Sequence, residues 1–149
     1  MGAPIVCVAC HCDDCQEGSR QIEQLTKAAP VLDSAGGTAY VLFRKDRVMW
    51  AKGSDRLENH KLKPASSTNR VVASCCHSAM ALTFDDGRHW VSVFRARMEG
   101  ASPPLAMRLC TKYKPEGAVL PNDAPAYGAF PLRFIGKLIG ANVAMAFGR

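Results

Sequence analysis

Four of the chain's seven cysteines fall within nine residues, in the run Cys7-Val-Ala-Cys10-His-Cys12-Asp-Asp-Cys15. No other stretch restricts the fold so strongly. Cysteines this dense do not arise from packing alone, and a disulfide framework would spread an even number along a secreted chain. Thiolates are strong zinc ligands, and spacers of one or two residues let several sulfurs converge on one ion. Cys10, Cys12 and Cys15 have the spacing C-x-C-x-x-C and are the predicted ligands. Three protein ligands with one open position is the arrangement of catalytic zinc; four closed ligands is that of structural zinc. A buried core group and a redox dithiol are the opposing readings.

Cys7 also makes a C-x-x-C pair with Cys10. If residues 4–9 form a strand, Cys7 shares a face with Ile5 and Ala9 and is a core residue rather than a fourth ligand. His11 can serve as a ligand, as a general base, or as a loop histidine hydrogen-bonded near the site. Cys75-Cys76-His77-Ser78 follows a predicted strand. That turn can return to the metal, form a second site with Cys110, or simply bury its thiols, and the spacing leaves these open.

A length of 149 residues with 48% hydrophobic and 21% charged residues fits one globular domain whose core needs no disulfide staples. The formal net charge of +6 permits an anionic partner. Its basic residues are spread along the chain with no run of five or six like charges, so a solvated surface is expected and a nucleic-acid partner is not. The first residues, Met-Gly-Ala-Pro-Ile-Val, carry no signal-peptide pattern. A reducing, cytoplasmic setting is expected.

Periodicity predicts short strands at residues 4–9, 38–43, 47–51, 70–74, 79–84 and 89–94. Arg44-Lys45-Asp46 is read as a hairpin between 38–43 and 47–51, and Asp85-Asp86-Gly87-Arg88 as the turn of a second. Trp50 and Trp90 are expected to be at least partly buried in these strands. A short helix is predicted over 16–29, with Ile22, Leu25 and Ala29 on one face. Residues 100–131 are rich in Pro, Gly and Ala and read as an extended, surface-hugging connection. A second helix is predicted over 132–147, with Leu132, Ile135, Ile139, Val143 and Ala146 in register and Arg133 and Lys137 sharing a face. It is too short and too interrupted by Gly136 and Gly140 to span a bilayer, and docking on the sheet is expected rather than membrane-surface binding.

These residues, taken in order, resemble the glutathione-dependent formaldehyde-activating enzyme family, the CENP-V/GFA domain. Its Cys-His-Cys-x-x-Cys-Arg-like motif reads here Cys10-His11-Cys12-Asp13-Asp14-Cys15-Gln16. Gly37-Thr38-Ala39-Tyr40, the segment from Arg47-Val48 to Gly53, and the turn from Arg70 through Cys75-Cys76-His77-Ser78 occupy the places of three further motifs. The resemblance covers about residues 5–98. It implies a mainly β, Mss4-like fold of antiparallel sheets, with residues 1–99 as the zinc-binding domain and 100–149 as a connection and C-terminal helix packed on it. It also implies zinc on Cys10, Cys12 and Cys15, with these three as the catalytic residues and a fourth position free for a substrate thiol. The family's structural zinc needs an N-terminal Cys-x-Cys-Gly and a later Cys-x-x-Cys. Neither is present at the right spacing, so that site is expected to be absent or rebuilt from Cys75 and Cys76, giving one zinc per chain.

The function expected from this resemblance is that of a zinc-dependent carbon–sulfur lyase-like enzyme acting on a thiol–aldehyde adduct. Glutathione is the thiol of the family, and Arg44, Lys45, Arg47 and Arg70 are candidates for holding its carboxylates. The rival is a zinc-stabilised binding module in which a fourth protein ligand closes the metal. Which thiol and aldehyde are used, and how many chains associate, are not written in the sequence.

Overall fold

The computed structural model describes residues 2–100 and 102–148. Its centre is one seven-stranded mixed sheet, flanked by two helices. In chain order the elements are β1 (Val6–Cys10), α1 (Asp13–Glu23), β2 (Thr38–Arg44), β3 (Leu57–His60), β4 (Thr68–Ala73), β5 (Ala79–Phe84), β6 (Trp90–Phe94), β7 (Met107–Leu109) and α2 (Leu132–Ala146). The strands lie in the order β3-β4-β5-β6-β2-β1-β7. Every pairing is antiparallel except β1 with β7, which is parallel and sets Cys10 opposite Leu109. The expected all-antiparallel arrangement therefore needs correction at this edge. Strand β7 lies inside the stretch that reads as extended connection, because three residues among prolines and glycines give no periodicity to detect.

Alternation along β1 divides the core. Val6, Val8 and Cys10 face one side with Tyr40, Leu42, Phe94, Ile22 of α1 and Phe134 of α2. Cys7 faces the other with Val41, Phe43 and Val93. Both helices thus cover the face on which Cys10 emerges. Cys7 is a core residue as expected, although Ile5, expected beside it, packs on the helix-covered face.

Two sequence expectations fail for identifiable reasons. Residues 48–53 are irregular rather than a strand, since both edges of β2 are already taken, by β1 and β6. Trp50 consequently lies at the surface, 37% exposed, whereas Trp90 packs against the core. Helix α1 starts three residues before the predicted boundary and stops well short of Ala29. Its Glu23 carboxylate accepts hydrogen bonds from the amides of Val31 (2.7 Å) and Leu32 (3.0 Å), which turns the chain back, and Lys27 takes a positive φ.

Helix α2 has the predicted extent but a different inward face. Phe134 is buried and Leu138 packs on the core, while Leu132, Ile135, Ile139 and Val143 are exposed. The helix is held by His89, whose Nε2 donates to the Leu138 carbonyl at 2.8 Å, and by Phe134 stacked on Phe130. No helix among the described residues is long and apolar enough to cross a membrane.

Candidate metal centre

The ligand atoms of Cys10, Cys12 and Cys15 all lie within 4.8 Å of one another. Local chain direction brings them together. Cys10 is the last residue of β1, Cys12 is the extended N-cap of α1, and Cys15 sits in its first turn. The helix N-terminus carries unpaired amides and partial positive charge, which favours thiolates there. Hydrogen bonds from Cys10 and Cys15 hold the Cys12 thiol far below its ordinary value, and the charge of Arg70 adds to this. Cys10 is pushed far up by its hydrogen bonds to Cys110, Cys12 and Cys15. Three converging sulfurs, one of them readily anionic, are the donor set that zinc and softer ions prefer, so the residues fit a metal.

Other candidates fall elsewhere. Cys7 lies across the sheet. Cys75 is exposed, Cys76 approaches the Ser78 hydroxyl at 3.2 Å, and His77 Nδ1 bonds the Thr26 carbonyl at 2.8 Å. Among the described residues these three join no group of metal-ligating side chains. Cys110 is the unexpected neighbour. The parallel β1–β7 pairing carries it past Leu109 to hydrogen-bond Cys10, although it stands outside the group of three. It holds a left-handed conformation (φ 58°), which costs a non-glycine residue free energy.

His11 is neither ligand nor exposed base. It is wholly buried; its Nδ1 donates to the Ala35 carbonyl (3.1 Å), and its Nε2 accepts from Arg108 Nη1 (3.2 Å). Burial lowers its pKa, keeping it neutral. Arg108 also donates to Asp33 (2.8 Å) and, with both Nε and Nη2, to Asp123 (2.9 and 3.0 Å). Sequence reasoning missed this network, whose only local signal is an arginine inside the short apolar run of β7. Gln16 closes the same corner by donating to the carbonyls of His11 and Tyr113, both at 2.7 Å.

Beside the sulfurs lies a cavity of about 200 Å³, lined by all three cysteines and by Tyr40, Arg70 and Phe134 among others. Of the four predicted carboxylate-holding residues, only Arg70 reaches it. Arg44 instead pairs with Asp46, donating from Nε at 3.0 Å. A shallower hollow of about 340 Å³ shares Cys12, Asp14 and Phe130 and adds Cys110 and Lys112. Comparison of the chain with protein-family models and with curated proteins gives no significant match to either, so the centre stands on its own geometry.

Proposed function

We propose that this chain is a zinc-dependent carbon–sulfur lyase-like enzyme of the glutathione-dependent formaldehyde-activating type, with a Mss4-like fold. The observation that carries the reading is that Cys10, Cys12 and Cys15 open onto a cavity instead of being sealed in the core. When bound, zinc would supply a position at which a thiol is held as thiolate, the form that adds to an aldehyde carbon. The surrounding residues suit that task. Tyr40 hydrogen-bonds Cys15 and lines the cavity. Arg70 places positive charge beside the anionic sulfurs. Phe130 and Phe134 give the cavity apolar lining. All seven cysteines are free thiols, which suits a reducing compartment such as the cytoplasm.

One specific observation favours the second reading, a zinc-stabilised binding module. Cys110 hydrogen-bonds Cys10 and shares a hollow with Cys12, which makes it the candidate fourth sulfur. Cobalt substitution separates the two. A site of three sulfurs and an exchangeable ligand changes its visible spectrum when a small thiol is added. A four-sulfur site does not respond, and that result would replace the enzyme by the module.

A further inference from the structure

Arg70 is a buried cation with an unmet hydrogen-bonding need. It is 4% exposed, yet its Nη1 has no partner. Its Nη2 donates to the Asp14 carbonyl at 2.6 Å, and among the described residues no carboxylate pairs with it. Burying a guanidinium with an orphaned donor is costly unless something supplies an acceptor. The charge itself is partly offset by the cysteine sulfurs, but none of them accepts from Nη1. Arg88, the other guanidinium on the cavity among the described residues, is committed to Asp86 and to the Ser67 hydroxyl, and its Cζ lies over the Phe84 ring.

The placement of Arg70 is built into the fold. Its guanidinium passes directly over Gly18 of α1, where any side chain would collide with it. The helix therefore holds the group against the cavity that the three sulfurs also line. The three cysteines and Arg70 line one cavity, together with Tyr40, Trp90 and Phe134. At about 200 Å³ the space is smaller than the roughly 300–1,000 Å³ of sites that enclose drug-sized ligands.

We infer that the cavity takes a small mercapto-carboxylate, its sulfur toward Cys10, Cys12 and Cys15 and its carboxylate on the Arg70 guanidinium. This rests on the proposed open metal position, and narrows the ligand from a tripeptide thiol to a short-chain anionic one. A carboxylate supplies the anionic partner that this guanidinium lacks among the described residues, and a charge-assisted hydrogen bond is of the stronger kind. A thiol without an anionic group leaves Arg70 as it is.

The test is calorimetric titration of the zinc-loaded full chain with mercaptopropionate, with mercaptopropanol as its uncharged counterpart, and with glutathione. Mercaptopropionate should bind at least about tenfold more tightly than mercaptopropanol, as expected for one hydrogen bond to a charged group. Arg70→Gln should abolish that preference while still binding mercaptopropanol. Should the variant fail to fold, the comparison of the two thiols on the unaltered chain still decides. Equal affinities would overturn the carboxylate subsite and leave the proposed enzyme standing. Absence of binding by all three thiols would overturn the open metal position and this inference with it. Glutathione binding as tightly as mercaptopropionate would overturn the restriction to short ligands.

Discussion

Gly18 and Arg70 occupy one another's space: a Cβ built on Gly18 would lie 2.6 Å from Arg70 Nη2 and closer still to Nε and Cζ. Gly18→Ala should gain up to about 1 kcal/mol in helix propensity and lose about 1–3 kcal/mol to overpacking. The net expected outcome is a protein about 1 kcal/mol less stable in urea melts, with Arg70 displaced from the cavity. Mercaptopropionate should then bind about tenfold more weakly while mercaptopropanol is unaffected. An unchanged preference for the carboxylate would show that Arg70 is not the group that reads it.

Metal content follows from the single cysteine group. Elemental analysis should find one zinc per chain, as Cys75, Cys76 and His77 join no cluster among the described residues. Cys12→Ser should weaken zinc binding by at least about 100-fold, because losing even a group behind a ligand costs about 10–100-fold. A Cys75→Ser, Cys76→Ser double variant should keep full occupancy. Two tightly held ions per chain would contradict this arrangement.

Cys110 separates open from closed coordination. Cys110→Ala should retain one zinc, and its cobalt form should keep the spectrum and thiol response of the parent protein. Loss of the metal in this variant would mean that Cys110 is a fourth ligand.

The Arg108 network should be visible in acid. Burial pushes the Asp33 carboxyl up, but hydrogen bonds from Arg108 and from the Gly37 and Ala35 amides outweigh it and hold the group below its ordinary value. A depressed carboxylate contributes stability that is complete above its unfolded pKa, about 4, and is lost as pH falls through the lower folded value. Arg108→Met should destabilise the metal-free protein by about 2 kcal/mol near neutrality, a magnitude set by hydrogen bonds between charged groups whose acidic partners are partly solvated. The difference in melting temperature between the two proteins should be constant above about pH 7, begin to shrink as His11 takes up a proton, and shrink further below about pH 4. A difference independent of pH would assign the effect to packing.

The cysteine group was readable because its geometry is local: a strand end, an N-cap and a first helical turn lie within six residues. The β5–β6 hairpin was readable for the same reason, as its turn sits between clear runs. Residues 47–51 have strand-forming side chains, but no free edge of β2 remains to receive them. Helix α2 is apolar nearly all round, so its pattern marks a helix without marking a face; Phe134, out of the predicted register, is what reaches the core. Arg108 was invisible as a site residue, and Cys110 was read as a partner of Cys75 and Cys76 rather than of Cys10, because a parallel pairing across about a hundred residues places them and no local pattern encodes it.

That separation also sets an order of assembly. Everything that grips the ion lies between residues 10 and 15, while the chamber around it waits for Arg70, Trp90 and Phe134. During synthesis the first segment emerges seconds before the last, at about 5–20 residues per second. The sulfurs can therefore capture an ion before any cavity exists, when affinity follows the intrinsic ranking of metals for thiolates rather than the shape of a finished pocket. An ion captured at that stage would reflect what surrounds the nascent chain, with the cavity's ligand selectivity added as the later strands and α2 join.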